Sequence, residues 1–109
     1  MQLNQYRILW ILVFYDLPTE TNKERKIAAR FRKDIMKDGF AMFQFSIYIR
    51  HCSSRENMEV HIKRVKRLLP EKGHVGMLTV TDKQFGSMEI FYGQKPAERQ
   101  GIPQQLEMF

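Results

Sequence analysis

The sequence predicts an α+β fold: one antiparallel sheet carrying two helices on a single face. Three observations lead there. Apolar runs of strand length are rich in β-branched and aromatic residues, two amphipathic segments are punctuated by helix caps, and these segments succeed one another as β-α-β-β-α-β with one more short strand. Right-handed crossovers put both helices on the same side of such a sheet, the ferredoxin-like arrangement. The 109 residues are one domain's worth. Residues 1–93 are expected to form it, with 94–109 as a C-terminal tail that binds a partner or stays flexible.

Residues 7–15, Arg-Ile-Leu-Trp-Ile-Leu-Val-Phe-Tyr, form the first predicted strand, stopped by Asp16 and Pro18. Both of its faces are apolar. Ile8, Trp10, Leu12 and Phe14 point one way, and Leu9, Ile11, Val13 and Tyr15 the other. A sheet with one solvated face alternates apolar and polar residues. The face turned away from the helices therefore needs cover, and a second copy of the chain is the expected source. Trp10, Leu12 and Phe14, with Met88, Ile90 and Tyr92 of the last strand, are the expected contacts for that copy and for a protein partner.

Thr21 and Glu24 are spaced as a capping box that opens the first helix, and Gly39 stands where a C′ glycine belongs. Ile27, Ala28, Phe31 and Ile35 share its apolar face. Residues 40–51 read as one or two strands with a turn at Gln44–Ser46. Ser53 and Ser54 precede the second helix, with Ser53 and Glu56 spaced as another capping box. Its apolar positions are Met58, Ile62, Val65 and Leu69, and Pro70 ends it. Val75–Thr81 is a further strand, Asp82–Ser87 a turn and Met88–Tyr92 a short strand. From Gly93 on the chain loses periodicity, and Leu106, Met108 and Phe109 form a terminal apolar hook.

The chain carries 18 Lys+Arg against 12 Asp+Glu, a net charge of +6 that favours polyanionic partners. Lys26, Arg30, Lys33 and Lys37 recur along the face of the first helix opposite its apolar stripe. Arg55, Lys63, Arg64, Lys66 and Arg67 crowd the second. Between Lys23 and Lys37 seven basic residues face two acidic ones, so these stripes are candidate tracks for a phosphate backbone, with solvated helix faces as the plain alternative. The apolar run Ile8–Tyr15 falls short of the roughly 20 residues that span a bilayer. It runs into Asp16-Leu17-Pro18 rather than a signal cleavage site, and the single Cys52 forms no internal disulfide. A cytoplasmic protein with no membrane partner is expected.

Asp16, at the carboxyl end of the first strand, is the candidate catalytic residue and metal ligand. A carboxylate held by a rigid element can bind Mg²⁺, which takes one or two carboxylates with waters and phosphate oxygens, and the metal can serve phosphodiester cleavage. A two-fold dimer offers two copies of Asp16. The plain alternative is an Asx-turn that organises the strand exit before Pro18. His51, His61, His74 and Cys52 match no zinc spacing, and no phosphate-binding glycine loop, nucleophile elbow or dinucleotide fingerprint is present.

Three segments together resemble the CRISPR-associated protein 2 family. They are Ile11-Leu12-Val13-Phe14-Tyr15-Asp16-Leu17, the basic helix Lys23–Phe31 closed by Gly39, and Gln44-Phe45-Ser46-Ile47-Tyr48. Order and spacing match over residues 7–93. The resemblance implies a ferredoxin-like homodimer that bridges CRISPR integrase dimers and holds double-stranded prespacer DNA during spacer acquisition. In some members it implies a Mg²⁺-dependent endoribonuclease or DNase, with the metal aspartate at Asp16 and RNA as a further substrate. It also implies that Met88–Tyr92 packs on the partner's sheet and that the tail contacts the integrase. The chain departs from the family pattern at Leu17-Pro18-Thr19-Glu20, where basic residues are usual, and at Ile49-Arg50, where an acidic residue is usual. Two roles compete on this reading, a metal-dependent phosphodiesterase and a non-catalytic scaffold. A toxin-type endoribonuclease of the same fold is the third option.

Overall fold

A computed structural model describes residues 8–97. The start of the predicted first strand at Arg7, the tail from residue 98 onward and the hook Leu106, Met108 and Phe109 lie outside the described residues. The elements are β1 (Leu9–Asp16), α1 (Asn22–Lys37), β2 (Ala41–Gln44), β3 (Ile47–Cys52), α2 (Arg55–Leu68), β4 (His74–Thr81), α3 (Asp82–Gly86), β5 (Phe91–Tyr92) and β6 (Lys95–Pro96). Four strands form an antiparallel sheet in the order β2-β3-β1-β4, consistent with the ferredoxin-like plan. The first strand is thus central, as its two apolar faces require.

The helix side of the sheet holds the larger core. Ile11 and Val13 of β1 pack with Phe31 and Ile35 of α1 and Met58 and Val65 of α2. The α1 cap is the predicted one: the Thr21 hydroxyl accepts from Glu24 N, and the Glu24 carboxylate accepts from Thr21 N. Gly39 follows the helix at φ +93°, a conformation glycine adopts without strain. The α2 cap differs from expectation. Ser54, not Ser53, accepts from the backbone three residues on, at Asn57 N. With Asn57 in place of a Glu or Gln at that position, the reciprocal half of a capping box is missing. Ile27 and Leu69, at the ends of the two apolar stripes, stay exposed and line one groove.

Asp38, the C-cap of α1, ties the helices together. Its Oδ2 lies 2.7 Å from Nδ1 of His61, and its Oδ1 accepts from Nη1 of Arg64 at 2.9 Å. His61 is buried and structural. Cys52 is buried too, and burial pushes its thiol up, away from thiolate chemistry.

The other face of the sheet corrects the expectation that a second copy must cover all of it. The segment predicted as a turn, Asp82–Ser87, contains the short helix α3, opened by a capping box between Thr81 and Gln84. Its Phe85 stacks on Trp10, with ring centroids 4.5 Å apart, and the indole Nε1–H donates to Asp82 Oδ1 at 2.8 Å. Ile8, Trp10, Ile49 and Phe85 form a second buried cluster, flanked by Leu12, Phe43, Met88 and Ile90. The chain therefore seals the amino-terminal half of β1 by itself. The predicted strand Met88–Tyr92 is also shorter than expected. Only Phe91–Tyr92 is extended, paired with Lys95–Pro96 around Gly93 in a separate small hairpin. Met88 and Ile90 instead pack against the Trp10 cluster, and the Ile90 carbonyl accepts from Ala97 N at 2.7 Å just outside the hairpin.

Candidate metal centre and nucleic-acid interface

Asp16 is the last residue of β1 and is exposed. Pairing with β4 sets His74 directly across from it. Directly opposed residues of an antiparallel pair share a face, with Cβ atoms about 4.5–5.5 Å apart, so a carboxylate and an exposed imidazole stand together at the strand end. Phe14, Ile47 and Gly76 line the same shallow depression as these two residues. Local spacing assigns His74 no role, because its pairing with Asp16 lies in the sheet register.

Among the described residues, no group of three or more His, Cys, Asp and Glu side chains is placed to hold a metal ion. One chain thus offers a single carboxylate beside an imidazole here. This fits Mg²⁺, which binds proteins through one or two carboxylates and keeps its waters or substrate phosphates. When bound, the ion would supply charge neutralisation at a phosphodiester, with Asp16 as its protein ligand.

Next to Asp16, the outer face is open. Phe14 is 47% exposed, and Leu78, two residues along β4 from Phe14's partner Gly76, is 52% exposed. Phe14 lies across Gly76, where an added Cβ would come within 2.4 Å of its ring, so the glycine lets the aromatic lie flat on the sheet. Of the six residues expected at an interface, Phe14 and Tyr92 remain exposed. Trp10 is completely buried inside the chain, and Leu12, Met88 and Ile90 help to seal its cluster.

The basic residues lie on the outer surface of the helical layer. Lys26, Arg30, Lys33, Lys37, Arg55, Lys63, Arg64, Lys66 and Arg67 are all exposed. Arg64 is held by Asp38, and Arg30 lies 3.9 Å from Asp34 in a loose pair on the same helix. The exposed Arg30–Asp34 pair contributes little energy and leaves its guanidinium accessible to phosphate, whereas Arg64 is anchored on a largely buried carboxylate.

Arg32 of α1 also bears on the site, and it lies outside the two basic stripes. Its Nε–H donates to the Tyr48 hydroxyl at 2.9 Å, which turns the guanidinium toward the cleft beside Asp16. Tyr15 lines the same cleft, and its phenol is pushed up to about 12, by burial first and then by Tyr48. It stays protonated at physiological pH. The partnership of Arg32 with Tyr48 spans sixteen residues, beyond the reach of helical periodicity.

The profile of the family described as CRISPR associated protein Cas2 matches residues 9–88. The chain is 67% identical over 108 residues to the CRISPR-associated endoribonuclease Cas2 of Flavobacterium psychrophilum, covering 99% of this chain and 94% of that one. It is 48% identical to the protein of the same name from Parvibaculum lavamentivorans, covering 93% of this chain and all of that one. A third relative of that name, from Paracidovorax avenae, is 37% identical over 98% of this chain and 99% of its own. No helix among the described residues is long and apolar enough to cross a membrane.

Proposed function

The chain belongs to the Cas2 family of CRISPR-associated proteins, and from that premise we propose that it works as a homodimer in CRISPR adaptation, binding duplex prespacer DNA together with the CRISPR integrase. We assign it in addition an endoribonuclease activity, the one named in its relatives, with Mg²⁺ held at Asp16. The observation that carries this reading is the juxtaposition at the carboxyl end of β1. An exposed apolar surface, Phe14 with Leu78, adjoins the exposed carboxylate. Covering that surface with a second copy buries it and brings a second carboxylate into the assembly. The basic helical layers, facing outward, would then offer cationic surface on each copy for a phosphate backbone. The CRISPR-associated names of the relatives favour this role over a toxin-type endoribonuclease.

Two measurements test the reading. Light scattering after size exclusion, with and without integrase and a short blunt duplex, is expected to show a dimer that joins a larger complex. A monomer at micromolar concentration, indifferent to duplex at low salt, overturns it. Asp16→Ala separates the two roles within it. Spacer acquisition that persists in the variant assigns adaptation to the scaffold, and acquisition that is lost assigns it to the carboxylate. We expect acquisition to persist and metal-dependent RNA cleavage to fall by about 100-fold.

A further inference from the structure

A cleft of about 540 Å³ opens on the helix side of the sheet at the exit of β1. Small-ligand sites commonly enclose roughly 300–1,000 Å³. Its inner wall is aromatic. The Tyr15 and Tyr48 rings lie 6.1 Å apart and within 14° of parallel, and Tyr15 meets Phe31 edge-on. Ala28 and Ala29 form the α1 side, so small side chains keep the space open. Arg32 projects from the same helix, anchored through Nε to Tyr48, which leaves the terminal nitrogens of its fork to face the cleft. At the mouth is Phe45, 91% exposed. Ser46, at φ +65°, turns the β2–β3 hairpin there, and its carbonyl accepts from Tyr15 N at 3.1 Å, fixing the hairpin tip to β1. An apolar ring held almost wholly in water on an anchored turn contributes nothing to the core. Asp16 lines the same cleft, next to the Tyr15 held by that bond.

We propose that this cleft is a subsite for one unstacked nucleobase, which lies against Phe45 and Arg32 while its phosphate reaches the Asp16 end. The inference rests on the reading that nucleic acid approaches Asp16, and it adds the chemistry of the neighbouring nucleotide. An aromatic face gives sequence-tolerant stacking. A guanidinium plane stacks on bases or donates to their edges. A carboxylate beside the cleft disfavours a bare anion inside it, so the base enters and the phosphate stays outside, where a cation held at Asp16 would neutralise it. A base inside an intact duplex is stacked and paired, so the subsite selects a single-stranded nucleotide.

The probe is a single-stranded oligonucleotide carrying one fluorescent aminopurine, in ribose and deoxyribose forms, with a blunt duplex for comparison. Stacking quenches the fluorophore. The intact protein is expected to quench it in at least one sugar form. Phe45→Ala is expected to weaken single-strand binding roughly tenfold, as loss of one base–aromatic stack does. Blunt-duplex affinity, thermal stability and the mass by light scattering should stay unchanged, because Phe45 supports no core. Arg32→Gln should act in the same direction. Absence of quenching, equal losses for single strand and duplex, or a changed mass in Phe45→Ala overturns the subsite. If the intact protein quenches the single strand yet ignores blunt duplex, the adaptation reading fails and the subsite stands.

Discussion

The outer face of β1 is treated in two opposite ways along one strand. At its amino-terminal half Trp10 is stacked under Phe85 and bonded to Asp82, and nothing outside the chain is needed to dry it. At its carboxyl half Phe14 and Leu78 remain half in water beside Asp16 and His74. Both halves are equally greasy in sequence. The difference is a five-residue helix that reaches only partway. Stability is secured at one end, and apolar surface stays open at the end where the candidate chemistry lies.

This contrast gives four expectations of decreasing size. Trp10→Ala should cost about 3–5 kcal/mol in urea unfolding, the range for emptying a large aromatic site, whereas Leu78→Ala should shift monomer stability by only about 0.5 kcal/mol. Equal costs at the two ends would erase the distinction. Asp16→Ala should lower metal-dependent RNA cleavage by about 100-fold, the lower end of what a positioned catalytic group contributes, with the fold unchanged by circular dichroism. Leu78→Asp, on the open half, should shift the chain toward monomer in sedimentation, by a margin of roughly tenfold in dimer affinity, since a charge in a desolvated contact costs at least one such factor. The smallest effect belongs to Tyr15. Its raised pKa means that the folded chain favours the neutral phenol, so this contribution is intact below about 10 and fades as pH rises toward about 12. Comparison of wild type with Tyr15→Phe by absorbance titration should show one late-ionising tyrosine lost.

Much of the fold was legible because its signals are local. The Thr21–Glu24 box, the Gly39 stop and the turn at Gln44–Ser46 are written in adjacent residues, and the structure places them where they were read. The strand-end position of Asp16 was equally plain. Two misreadings show where locality fails. Helix α3 is too short for a period of 3.6 to register, yet Thr81 and Gln84 carried the same capping signal as Thr21 and Glu24. Met88 and Ile90 look like strand residues, but their apolar side chains are claimed by the Trp10 cluster. The neighbours of Asp16 were hidden for a different reason. His74 reaches it through the β1–β4 register, and Arg32 is turned toward its cleft by a tyrosine on β3. Partnerships made across the sheet leave no trace in spacing.

The plug over Trp10 has no hinge. Thr81 both ends β4 and caps α3, and Asp82 N donates to the Ile8 carbonyl at 2.9 Å. Exchange of this plug between copies would drag an edge strand along with it. The plug is therefore expected to stay with its own chain, and a refolding rate independent of protein concentration would bear this out.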